Sequence, residues 1–316
     1  MCFSSSQFPC HGYRISKMEL VKIVDEYGNK IHYKRYQGRS FHPDFLGNVR
    51  DHLAEISAYE GQRDDILLCT FPKSGSHWVF NMVQMIRANN FEYNGTPAVM
   101  EFQPISDFEK LPSPRMYLTH LGYPFIPMAA KRGDIKIIHV LRNPKDTALS
   151  YYEFFNSMRN VAYEGTLGGF LKYFLSDEFV AVGSSLFPYM KEWEDAKRNN
   201  NKLQILNLRY EDLKQNLFEN ILKITKFLNL DRPDDFLRGV EQNVSFERLK
   251  EKHDSNLGET ERWKNNADGG RLPIYRKGKI GDWKNKFTVA QNEMFDAVYK
   301  EKMEEMGLTL DEFIFE

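Results

Sequence analysis

Four short stretches of the chain are almost continuously apolar: residues 66–71 (ILLCTF), 116–119 (MYLT), 135–141 (IKIIHVL) and 203–208 (LQILNL). A strand with one wet face alternates apolar and polar side chains. One covered on both faces does not, so these runs predict a central parallel sheet flanked by helices. The third and fourth runs are each followed by a helical pattern, which makes the architecture α/β. After the first run, Val79, Met82, Val83 and Ile86 recur at helical spacing, predicting a helix over 76–89 that begins at a serine. A second stripe, Ile221, Ile224, Thr225 and Leu228, marks a helix over 217–228. Both stripes read as core.

At 316 residues, 41% of them hydrophobic and 14% aromatic, the chain can build one substantial core and is not globally disordered. No internal repeat or second domain is visible. The expected organisation is a tail and lead-in over 1–35, with Met18 an alternative start, followed by a single domain over 36–316. Lys and Arg number 43 against 44 Asp and Glu, a net charge of −1 that argues against a nucleic-acid partner. No window reaches the ~20 apolar residues of a membrane helix, and the N-terminus lacks the apolar run of a secretory signal. Three cysteines, Cys2, Cys10 and Cys69, make no disulfide framework. A cytoplasmic protein without a membrane partner is expected.

Three segments carry chemistry. Phe71-Pro72-Lys73-Ser74-Gly75-Ser76-His77-Trp78 leaves a strand, turns through a glycine and enters a helix. Backbone amides in such a turn, the helix N-terminus and an adjacent lysine together suit a phosphate. An ordinary strand-to-helix turn with a solvated lysine fits the same residues. A Walker A loop would place its lysine after the glycine, whereas Lys73 precedes Gly75, so an ATPase or GTPase is disfavoured. Second, the run 135–141 ends at Arg142, with Pro144 at a first helical position and Asp146 in the first turn. This puts Arg142 at the carboxyl edge of the sheet, where open α/β sheets bind ligands and where a guanidinium can grip two phosphate oxygens. A pair between Arg142 and Asp146 satisfies the residues equally well. Third, 275–284 (YRKGKIGDWK) sets four cations around two glycines within a chain of balanced charge. The surrounding stretch 254–280 is long for a plain connection.

Taken together, these segments resemble the cytosolic sulfotransferase family, which moves a sulfuryl group from 3′-phosphoadenosine 5′-phosphosulfate (PAPS) to a hydroxyl or amine and releases adenosine 3′,5′-bisphosphate (PAP). The resemblance spans roughly Asp64 to Glu293 and implies a P-loop-like phosphosulfate loop. It implies that Lys73 and the amides of Ser74, Gly75, Ser76 and His77 hold the phosphosulfate. Arg142, Ser150, Arg276, Lys277 and Gly278 would hold the 3′-phosphate. Trp78 and Phe246 would sandwich the adenine while Tyr210, within Leu208-Arg209-Tyr210-Glu211-Asp212-Leu213, bonds its edge. Thr119-His120-Leu121 resembles the catalytic segment, with His120 as general base and Lys73 supporting the transferred charge. A histidine suits that task because its proton affinity lies near neutrality.

Five positions depart from the family pattern: Ser76-His77 stand where a Thr-Thr pair is usual, Leu118 for a lysine, Gly122 for a proline and Val244 for a threonine before Ser245-Phe246. Phe154 matches an aromatic residue of the acceptor pocket, although core packing explains it as well. The segment from Lys284 through Thr288 and Val289 to Glu293 resembles the family's dimerisation signature, which implies a homodimer. No metal is implied, because lysine, arginine and amides supply the neutralising charge. The expected function is therefore sulfuryl transfer to a small-molecule acceptor. A nucleotide-binding regulatory protein of the same fold is the rival reading, and a nucleotide kinase a weaker one.

Overall fold

The computed structural model describes residues 19–24, 28, 30–158, 163–179, 181–256 and 274–308. It opens on three antiparallel strands that no apolar run announces: β1 (Glu19–Val24), β2 (Lys30–Tyr36) and β3 (Arg39–Phe41), in the order β1-β2-β3. The register pairs Lys34 with Phe41 and Tyr36 with Arg39. Strand β2 thus runs through the boundary expected at residue 36, and the folded unit takes in part of the expected lead-in. The earlier residues, with Cys2, Cys10 and Met18, lie outside the described residues, as does the middle of the stretch 254–280.

All four apolar runs become strands: β4 (Ile66–Thr70), β5 (Met116–Thr119), β6 (Lys136–Leu141) and β7 (Ile205–Arg209). They form a parallel sheet of order β5-β4-β6-β7, in which Ile66 pairs with Met116 on one side and Lys136 on the other. The helices are α1 (Val49–Ala58), α2 (Ser76–Ala88), α3 (Ile105–Glu109), α4 (Met128–Arg132), α5 (Pro144–Ser157) and α6 (Leu167–Leu175). After them come α7 (Leu186–Asn199), α8 (Tyr210–Gln215), α9 (Leu217–Phe227), α10 (Asp234–Asn243), α11 (Phe246–Asp254) and α12 (Val289–Glu305).

Alternate residues of the sheet enter two separate cores. Ile66, Leu68, Leu118, Ile138 and Val140 pack with Val79, Met82, Val83 and Ile86 of α2 and with Ile221 and Ile224 of α9. Leu67, Cys69, Tyr117 and Ile137 share the other core with α5, α6 and α7. Both helical stripes read from sequence are therefore core, and the strands are mainly apolar because both faces are covered. From β4 the chain moves outward to β5, then returns across β4 to β6. That reversal leaves a crevice at the carboxyl ends of the strands, where such sheets bind ligands.

At the opposite end, a buried ion pair joins the starts of β4 and β5. The Arg115 guanidinium donates to both Asp65 oxygens at 2.9 and 2.7 Å and to the Phe108 carbonyl at 3.2 Å. Both side chains are almost wholly buried, so removing one partner strands a charge in the interior. Arg115→Met is expected to cost about 3–5 kcal/mol in urea unfolding. A stability equal to wild type would show that the pair does not hold these strands.

Candidate active site

Each parallel strand releases a candidate residue where it ends. Strand β4 leads into the loop 71–75 and α2, β5 into His120, β6 into Arg142 and β7 into Tyr210. These ends meet around one cavity of about 440 Å³. Lys73, Gly75, Ser76, His77, Trp78, His120, Arg142, Ser150, Tyr210, Phe246, Arg276, Lys277 and Gly278 all line it. Ser74 does not. It is buried behind the loop, where its amide donates to the Phe71 carbonyl at 3.3 Å and closes the turn.

The loop has the form a phosphate needs. Gly75 is the N-cap of α2 at φ 97°, a conformation suited to glycine, and it offers no side chain to cap the helix. A Cβ on Gly75 would meet the Tyr210 ring at 2.8 Å. Lys73 sits at φ 70°, which a lysine adopts only under constraint. The Arg142 guanidinium donates to the Lys73 carbonyl at 2.9 Å, which helps hold the loop in this form. The same guanidinium reaches the Lys279 carbonyl at 3.4 Å and lies 4.4 Å over the Tyr210 ring. Its Nε is buried without a hydrogen-bond partner among the described residues.

Arg142 therefore does not pair with Asp146. The Asp146 carboxylate accepts instead from the amides of Gly281 at 2.7 Å and Trp283 at 3.1 Å, pinning the C-terminal basic loop to the start of α5. Asn143 caps that helix, with Pro144 in its first turn as expected. Arg276 and Lys277 face the cavity, but their charged ends bond Asp282 at 3.2 Å and 2.8 Å. Burial would raise the Asp282 carboxyl; its bonds from Lys277 and Arg276 outweigh that and hold it below the usual range.

The ammonium of Lys73 rests 4.0 Å over the Phe154 ring, so that aromatic belongs to the site and not only to the core. Enclosure by protein, and then the charges of Arg142 and Arg276, lower the Lys73 pKa to about 7. Trp78 donates its indole N–H to the Val244 carbonyl at 2.8 Å and packs on Tyr210. Phe246, the first residue of α11, packs on Tyr275, and a side chain on Gly278 would strike the Phe246 ring.

His120 is held from two directions. Its Nδ1 lies 2.9 Å from the Thr70 carbonyl, which fixes the proton on that nitrogen and leaves Nε2 as the acceptor. Enclosure pushes its pKa down to about 4; the Thr70 carbonyl opposes this and Lys73 reinforces it. The ring is thus neutral at pH 7. Its backbone amide donates to Glu101, which also accepts from the Thr119 hydroxyl at 2.9 Å. Burial raises the Glu101 pKa to about 7. Sequence reading missed Glu101, an isolated acid in a segment with no motif. It also missed Thr70, although a polar residue ending an apolar strand gave the same signal that singled out Arg142.

Residues 63–307 match the family model described as the sulfotransferase domain. Mouse sulfotransferase 1 family member D1 is 34% identical over 274 residues, covering 83% of this chain and 90% of that protein. Human sulfotransferase 1C2 is 32% identical over 297 residues, covering 90% and 97%. The chain belongs to the sulfotransferase family. A mouse sulfotransferase, SULT7A1, solved in complex with PAP, is 32% identical with a TM-score of 0.69, covering 85% of this chain and 94% of that one. The enzyme catalyses PAPS-dependent sulfuryl transfer to a small acceptor. Its cavity fits such a donor: three mutually repelling cations face it, two glycines leave room for backbone approach, and Arg142 keeps an unused buried donor.

Asp146 touches no candidate ligand group yet fixes the loop that carries Arg276 to Gly278. Asp146→Ala is expected to weaken PAP binding in calorimetry by about 1.5–3 kcal/mol, the worth of hydrogen bonds to a charged acceptor. Wild-type affinity in a folded variant would show that the loop needs no such anchor.

Proposed function

We propose that this sulfotransferase binds its donor along the strand ends. Lys73 and the first-turn amides of α2 take the phosphosulfate, and Arg142, Ser150 and the Arg276–Gly278 loop take the 3′-phosphate. Trp78 and Phe246 flank the adenine, with Tyr210 at its edge. The observation that carries this reading is the convergence of Lys73, Arg142 and His120, from three different strand ends, on one cavity. When bound, the donor supplies a sulfuryl group whose bond to the 5′-phosphate breaks as an acceptor oxygen forms the new S–O bond. His120 Nε2 accepts the proton from that oxygen, for which a neutral imidazole is required. Lys73 and the helix amides, already oriented, stabilise the charge left on the phosphate. The reading needs no metal, since the cations named supply that charge.

Leu118 is fully buried and forms cavity wall, so this enzyme does without the cation usual there. We read the apolar end of the cavity, with Phe154, Phe102 and Met158, as the acceptor site. Lys284, Thr288, Val289 and Glu293 are all exposed, Val289 by 75%, which supports their use in a two-fold dimer contact. Residues 36–316 are read as the catalytic domain and the cytoplasm as its location; no helix among the described residues is long and apolar enough to cross a membrane.

Two results test this reading. With the Lys73 pKa at about 7, the free amine is mostly neutral at pH 8 and charged at pH 6. A bound anion favours the ammonium, so PAP binding should draw in a proton at pH 8 and much less at pH 6. Calorimetry in buffers of different ionisation enthalpy reads this uptake, and Lys73→Met should abolish it; equal uptake in that variant would remove Lys73 from the donor site. Separately, His120→Gln should lower turnover by a factor on the order of 10²–10⁴ while PAP affinity stays near wild type. Normal turnover in that variant, on any acceptor the wild type sulfates, would overturn the base assignment.

A further inference from the structure

Thr70, the last residue of β4, is fully buried and lies behind the cavity wall. A hydroxyl at such a position is costly unless it is bonded, and an apolar residue would extend the strand as well. Its Oγ1 lies 2.7 Å from Ser76 Oγ and 3.1 Å from His120 Nδ1. Its carbonyl lies 2.9 Å from the same nitrogen. Two residues of the site, one from the phosphate loop and one from the catalytic segment, are thus joined through a third that faces neither ligand.

The direction of the bond from His120 is fixed by its tautomer, and it sets the sense of the chain. A nitrogen 2.9 Å from a carbonyl oxygen must carry the proton, so Nδ1–H is the donor and Thr70 Oγ1 can only accept from it. The Thr70 proton is then free to go to Ser76 Oγ. Ser76, having accepted, directs its own proton onward, and Ser76 lines the cavity. With the Thr70 hydroxyl donating to Ser76 Oγ, every donor in the chain from His120 points toward the end where α2 begins.

We propose that Thr70 is a positioning residue for sulfuryl transfer, its hydroxyl joining His120 to Ser76 in one directed hydrogen-bond chain between the base and the anion-binding loop. The inference rests on the donor site proposed above. Transfer makes the imidazole positive and the leaving phosphate negative. One end of the chain accepts from the ring N–H and the other donates toward the phosphate, so each charge polarises the chain in the sense that stabilises the other. No proton travels along it. The arrangement carries added weight here because Leu118 contributes no cation.

The test uses the full-length protein with ¹⁵N-labelled histidine, the His120 signals being identified by their loss in His120→Gln. PAP raises the His120 pKa through space in any variant, against the opposing charge of Lys73 and beside the Glu101 carboxyl that holds the His120 amide. The chain adds to that rise, so the response should be smaller in Thr70→Val and in Ser76→Ala and restored in Thr70→Ser. With 4-nitrophenol as the acceptor probe, Thr70→Val should lower kcat roughly tenfold at unchanged KM for PAPS, the double variant with Ser76→Ala losing little more than the worse single. An equal His120 response in wild type and Thr70→Val, or losses that multiply, overturns the proposal. Failure of the wild type to bind PAP would instead overturn the donor site.

Discussion

Parallel strands all end on the same edge, and the candidate site is built on that. The sheet is covered on both faces, so its faces are mainly apolar, with His139 and Asn207 bonded to each other as exceptions, and the candidate polar site gathers at the edge. The loop 71–75, His120, Arg142 and Tyr210 are far apart in sequence, yet each follows a strand by no more than a few residues. Their meeting is a consequence of strand direction and register. It needs no additional long-range design, and a slip in register would scatter all four at once.

Gathering cations at that edge is unfavourable, and much of the surrounding structure opposes it. Burial, and then the charges of Arg142 and Arg276, bring the Lys73 pKa down to about 7. Arg142 is restrained by hydrogen bonds to two carbonyls and by an aromatic face. Asp282 answers Arg276 and Lys277, while Asp146 spends its charge on two backbone amides of the loop. Strain enters as well, in the left-handed backbone of Lys73. A site in this condition is organised for an anion before one arrives, which is the form of electrostatic preorganisation that transfer chemistry needs.

What could be read from sequence follows the same physics. The parallel sheet was legible because burial on both faces removes alternation, and the strand ends were legible because glycine, proline and charge punctuate them. The separate antiparallel sheet β1-β2-β3 was not. Its residues Lys30–Tyr36 mix basic side chains with Ile31 and Tyr33, a short alternation that a search for apolar runs passes over. Contacts made by the ends of long side chains were equally hidden. Whether Asp146 would pair with Arg142 or with the C-terminal loop depended on positions more than a hundred residues apart, which one sequence cannot supply. Glu101 and Thr70 went unnoticed because they act through backbone and hydroxyl groups, which leave no motif.

Two departures from the family pattern, Leu118 and Gly122, make sense as packing. Leu118 continues the apolar face that Val79, Val83 and Ile138 share, so the strand carries core where a cation is usual. At Gly122, a side chain would collide with the Glu192 carboxylate, and Glu192 is paired with Arg39 of β3 at 2.5 Å. Burial raises the Glu192 pKa, and Arg39 pulls it back. A proline at residue 122 could enter only by displacing that pair, which ties the N-terminal hairpin to α7 beside the catalytic segment. The glycine, the ion pair and the N-terminal strands go together: where the family pattern has a proline after His120-Leu121, this chain has a contact that crosses the fold. His120 is consequently held by partners outside its own turn, by Thr70 at the ring and Glu101 at the backbone.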